Sequence, residues 1–176
     1  MVRSMLAWSR LRVEPETASS ARPSVAGRPK MAAALRASLL GGWVAGTLDI
    51  GAACLINWRS PYFICQAIAA GVFGTASFDM STSSAVAGLL LQWFMSVLIA
   101  GIYAGASDWL PVLRRRWIFC GCAYGIPVFA VMSYVVMPLS AVGHVAHLTL
   151  AKGVENFLAM IWFGFVVGYF ARESVW

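Results

Sequence analysis

Asp49 is the side chain of this sequence best placed to do chemistry. It lies about eleven residues into the apolar stretch that begins at Ser38. A carboxylate near mid-bilayer is costly and faces a partner or water. Gly42, Gly46, Asp49 and Ala53 fall on one helical stripe, so Asp49 points into a packed interface. Two roles follow from that placement. One is a proton- or cation-linked site. The other is a hydrogen bond to a neighbouring helix, ordinary glue in membrane bundles. Candidate partners are Gln92 and Ser96, which share a face with Ala100 and Tyr103, and Glu155 and Asn156 at the head of the last apolar stretch. Glu155 also reads as a simple helix-start acid beside Lys152. Gln66 is placed to line an outer vestibule or to sit at the interface.

His144 and His147 are spaced three apart and would share one face of a helical turn. Such a pair suits a metal, a cofactor or a pH sensor. A zinc site takes about four ligands, and the nearby sequence adds only Glu155, so the pair is a weak metal candidate. Neither histidine lies in an apolar stretch, which argues against a haem held between spans by paired histidines. Cys54, Cys65, Cys120 and Cys122 read as small buried apolar residues, and the gap between the last two is not a zinc or thioredoxin-type spacing. Nucleophile-elbow, phosphate-loop and His-Glu-x-x-His motifs are absent from the sequence. The expectation is a non-enzyme with no catalytic residue and no cofactor beyond a bound lipid or quinone.

The elements that position these residues are apolar helices. The 176 residues are 60% hydrophobic and 11% charged, whereas a soluble domain is about 25% charged. A span needs about 20 apolar residues. Four stretches qualify, at roughly 38–57, 85–107, 117–137 and 153–171. Tyr62 to Gly74 is apolar but too short to cross, and reads as an interfacial or re-entrant helix. Pro127 should kink the third span. The fold class is therefore an all-α polytopic membrane protein, a four-helix transmembrane domain over 35–176 with one short extra helix. Residues 1–34 read as a basic, flexible tail. The first apolar stretch starts late and runs to full span length, so it reads as a span and not as a secretory signal. Every span carries two glycines four apart: Gly42 and Gly46, Gly101 and Gly105, Gly121 and Gly125, Gly164 and Gly168. Such pairs let helix backbones approach closely where lipid supplies no hydrophobic drive.

Charge sets the expected orientation. Eleven of the thirteen Lys and Arg lie before the first span, in the Arg114-Arg115-Arg116 run, or after the fourth span. Arg59 and Lys152 alone fall in the other loops. Cytoplasmic loops collect Lys and Arg, so both termini are expected inside. The net charge of +6 then faces lipid headgroups and does not point to nucleic acid.

Four segments carry a family resemblance. They are Gly46-Thr47-Leu48-Asp49-Ile50, Gln66-Ala67-Ile68-Ala69-Ala70-Gly71, Tyr124-Gly125-Ile126-Pro127-Val128 and Met137-Pro138-Leu139-Ser140. Over roughly residues 40 to 172 the chain resembles an uncharacterised family of small bacterial inner-membrane proteins with four predicted spans. The resemblance implies a bacterial inner membrane and a four-helix bundle, and it carries over no functional residue. Members of that family often place His at the position of Gln92 and near Ala159 or Met160, where this chain has none. Small size, glycine faces and many aromatics point first to an accessory or scaffold subunit of a larger respiratory or photosynthetic assembly, with other transmembrane subunits as partners. The alternatives are a small transporter or channel using Asp49 with Gln92, and a lipid- or quinone-binding protein.

Overall fold

The computed structural model describes residues 27–141 and 150–173. Among them every regular element is helical. The order is α1 (Gly27–Asn57), α2 (Pro61–Phe73), a 3-10 turn (Gly74–Phe78), α3 (Ser81–Trp109), α4 (Pro111–Arg115), α5 (Trp117–Val131), a π-helical turn (Met132–Val136), α6 (Met137–Leu139) and α7 (Leu150–Glu173). Five segments are long and apolar enough to cross a membrane: Met31–Asn57, Pro61–Phe78, Thr82–Trp109, Trp117–Leu139 and Leu150–Arg172.

Local sequence explains the boundaries. α1 ends where Trp58 takes a positive φ of 52°, and Pro61 then opens α2 at its first turn. The Ser60 hydroxyl accepts the Phe63 N–H at 3.3 Å as the cap of α2. Pro111 similarly separates α3 from α4. Residues 27–34, expected in the flexible tail, instead form the first turns of α1. Ala32, Ala33 and Ala34 are strong helix formers, and Pro29 sits in the first turn, where its missing N–H is harmless. Pro127 lies inside α5, and the regular α-helix gives way to the π-helical turn five residues later.

The segment Pro61–Phe78 is the one that sequence reading did not count among the spans. The 3-10 turn extends its apolar run to 18 residues. That run is not one straight rod. Gly74 adopts φ 66°, a region that glycine reaches without strain, and the chain reverses there. The Ser77 hydroxyl donates to the Gln66 carbonyl at 2.9 Å, and the Phe78 ring lies 5.4 Å from Phe63. Thirteen α-helical residues span only about 20 Å, against about 30 Å of hydrocarbon.

The four long helices run antiparallel in chain order. Asp49 meets Gln92, so the C-terminal end of α1 lies beside the start of α3. Gly41 packs against Phe170, so the start of α1 meets the end of α7. Trp117 meets Tyr169 edge to face, and Phe129 meets Phe157 likewise, so α5 and α7 are also antiparallel. One end of the bundle therefore gathers Arg36, Arg114, Arg115, Arg116 and Arg172, and the other carries Arg59 and Lys152. Between the ends, Ala45, Ala100, Tyr103, Phe163, Val166, Val167 and Ala171 form the main core. A smaller cluster of Ile50, Ile64, Cys65 and Ala85 seats α2 on α1 and α3.

Candidate intramembrane site

The α1–α3 interface is built by glycine. A Cβ on Gly42 would lie 2.5 Å from the Val97 Cα, and one on Gly46 would lie 2.6 Å from the Ser96 hydroxyl. Neither position admits a side chain, so the two backbones approach closely along this stripe. One helical turn further, Asp49 meets α3. The Gln92 side-chain amide donates to Asp49 Oδ2 at 2.7 Å. Gln92, Ser96, Ala100 and Tyr103 are all buried, Gln92 being 8% exposed. Asp49 itself is half-buried.

Aromatic residues flank this pair. Trp93 donates its indole N–H to the Thr47 hydroxyl at 3.2 Å, and Thr47 donates to the Trp43 carbonyl at 2.8 Å. The Trp43 and Trp93 rings meet edge to face at 5.3 Å. A carboxylate with one short N–H donor is suited to two things: holding two helices in register, or accepting a proton or cation from the membrane face.

Of the other candidate partners, the Glu155 side chain is exposed and forms no hydrogen bond or ion pair among the described residues. The Asn156 amide donates to the Lys152 carbonyl at 2.8 Å, within its own helix. Neither joins Asp49. Ser96 fills the notch opposite Gly46. Gln66 belongs to a separate buried polar cluster. Its amide donates to the Ser84 hydroxyl at 3.3 Å and to the Tyr62 hydroxyl at 3.4 Å. His144 and His147 lie outside the described residues. Among the described residues, no three His, Cys, Asp or Glu side chains converge.

The glycine pairs are used unequally. Gly121 and Gly125 of α5 interlock with Gly164 and Gly168 of α7, and a Cβ on Gly121 would lie 2.7 Å from the Gly164 carbonyl oxygen. Gly101 and Gly105 do not form such a contact. A Cβ on Gly101 would lie 3.7 Å from Ser38, and one on Gly105 would have nothing within 4 Å. The close contact of α3 with α2 is made instead at Gly88, against the Cys65 carbonyl. Ser84 and Gly88 are also small residues four apart, and that spacing is the signal that points to them.

Helical spacing places Tyr103 on the Gln92 face of α3 but gives no such signal for Tyr124. Tyr124 donates to the Ile99 carbonyl at 2.9 Å, Tyr103 to the Leu113 carbonyl at 3.3 Å, and their rings lie 5.1 Å apart. They tie α3 to α5 and α4. Placed against known proteins, the chain matches no family model, no curated protein and no solved structure.

Proposed function

We propose that this protein is a non-catalytic accessory or scaffold subunit of a larger bacterial inner-membrane assembly. The observation that carries this reading is the use made of Asp49. The acid is engaged by Gln92 beside the glycine-packed stretch of α1 and α3. A group spent on joining two helices is a packing device. The buried polar groups Gln66, Ser77 and Ser84 are likewise engaged inside the bundle. What remains free is apolar helix surface. The stretch Met132–Leu139 has no buried residue and exposes Tyr134, Val135 and Leu139. π-Helical turns of this kind occur often at functional sites, and here one lies within an uncovered helix end.

The topology proposed with it has four spans and a re-entrant α2, with both termini in the cytoplasm. Reversal at Gly74 supports the re-entrant assignment. So does the Ala141 N–H, which donates to the Gly71 carbonyl at 2.8 Å. That bond brings the far end of α2 to the bundle end from which it started. An even number of spans then keeps all the arginine-rich segments on one side, as the positive-inside rule requires. The resemblance to small bacterial inner-membrane proteins agrees with this location.

The test is mild-detergent purification of tagged protein from its native membrane, with mass spectrometry of everything that co-migrates. A stoichiometric set of larger membrane subunits is expected. An isolated 19.0 kDa monomer or small homo-oligomer would end the scaffold reading.

A second reading is favoured by one detail. Asp49 Oδ1 has no hydrogen-bond partner among the described residues, while Oδ2 takes the Gln92 amide. A free oxygen on a half-buried acid suits a proton- or cation-linked carrier. Liposome flux unchanged in Asp49→Asn would remove that reading.

A further inference from the structure

The arginine-rich halves of α1 and α3 leave an open furrow along one side of their seam. Between them runs a groove of about 800 Å³. That lies within the range of roughly 300–1,000 Å³ typical of small-molecule sites. Its walls are long apolar side chains, Met31, Leu35, Leu98 and Ile102, each about half exposed. Its floor is Gly101 and Gly105, the one glycine pair that touches no helix closely. One end is closed by charge, where Arg114 and Asp108 form an ion pair. Arg114 also donates its Nε–H to the Ser107 hydroxyl at 3.2 Å. A guanidinium has five N–H donors, so these bonds leave further donors at the mouth. Arg115 and Arg116 follow it in the chain, both exposed, so this end of the bundle carries more cations than acids.

We infer that this groove holds one acyl chain of an anionic phospholipid, with its phosphate on Arg114. The argument is complementarity along the length of the site. An apolar trough with a glycine floor accepts a thin hydrocarbon chain. A helix laid on the same floor would bring its own side chains against Leu35, Leu98 and Ile102. The excess positive charge at the interfacial end selects a negative headgroup. Arginine recognises phosphate oxygens through paired N–H donors, and Arg114 is already oriented by Ser107 and Asp108. A second copy of this chain, packed symmetrically on the same face, would set two arginine triplets against each other. The inference is independent of the scaffold role, because the groove belongs to this chain alone.

Position 105 offers a clean test. No atom lies within 4 Å of a Cβ there, so Gly105→Leu fills the groove without opposing the fold. Gly153→Leu is the control, since position 153 is equally open and lies at the other end of the bundle. Full-length protein is exchanged into detergent with equal phosphatidylglycerol and phosphatidylcholine, and retained lipids are counted by native mass spectrometry. Circular dichroism checks the fold of each variant. Wild type and Gly153→Leu should retain one phosphatidylglycerol, roughly tenfold in preference to phosphatidylcholine. Gly105→Leu should retain none. Arg114→Gln should lose about fivefold of the headgroup preference while still taking a lipid. Retention of phosphatidylglycerol by folded Gly105→Leu would overturn the inference. So would equal retention of both lipids by wild type, or a protein chain cross-linking through Cys at position 105 in place of lipid.

Discussion

If Asp49 is a packing device, its energy should be shared with Gln92 and with nothing else. The perturbation is a double-mutant cycle of Asp49→Ala and Gln92→Ala. The bond is short, at 2.7 Å, its acceptor is a carboxyl group and Gln92 is 8% exposed. Inter-helix hydrogen bonds in membrane bundles average about 0.6 kcal/mol and reach about 1.7 kcal/mol. The short distance and the acidic acceptor place this one near the top of that range, at about 1.5 kcal/mol of coupling. Each single variant also removes packing atoms, and the cycle subtracts that part. Unfolding is followed by far-ultraviolet circular dichroism as dodecyl sulfate is titrated into mixed micelles. Asp49→Asn is the informative companion. Its amide oxygen still accepts the Gln92 N–H, so it should cost less than about 1 kcal/mol. Additive single variants, with coupling below about 0.3 kcal/mol, would refute the glue argument. An Asn variant as damaging as Ala would refute it from the other direction, by showing that the ionisable proton matters.

Four further outcomes are expected. Gly121→Ala should destabilise by about 1–3 kcal/mol, because its Cβ must gain some 0.7 Å from the Gly164 carbonyl to reach ordinary contact at 3.4 Å. Gly105→Ala should be neutral or stabilising by up to about 1 kcal/mol, and equal effects in the same titration would discredit the packing assignment. Tyr124→Phe should cost about 1 kcal/mol through loss of the bond to the Ile99 carbonyl, read in the same assay. Single cysteines at Arg59, Ala76 and Leu139, in a background with the native cysteines replaced, should all react with impermeant maleimide from one side of sealed vesicles. Labelling of positions 59 and 76 from opposite sides would mean that Pro61–Phe78 crosses the membrane, and the re-entrant assignment would fall.

Composition and spacing alone set the helical class, the positions of four of the five span-length apolar segments and the sorting of basic residues into two sets. Those properties are one-dimensional. An apolar run of span length must satisfy its backbone within itself, and a helix does so wherever the run lies. The face shared by Gln92, Ser96, Ala100 and Tyr103 was legible for the same reason, since three- and four-residue spacing is fixed by the helix. Partner choice was not legible. Four glycine pairs look alike in sequence, yet Gly121 and Gly125 meet α7 while Gly105 meets nothing. Which residue answers Asp49 depended on the relative slide of α1 and α3, and that slide is set by Gly42 and Gly46 seating on Ser96 and Val97. The reversal after α2 also needed the tertiary structure. Hydropathy counts Gly74–Phe78 as more apolar length, whereas the positive φ at Gly74 and the Ser77–Gln66 bond turn that length back on itself. Hydropathy measures how much of a chain prefers lipid. Close packing between backbones decides where each part of it goes.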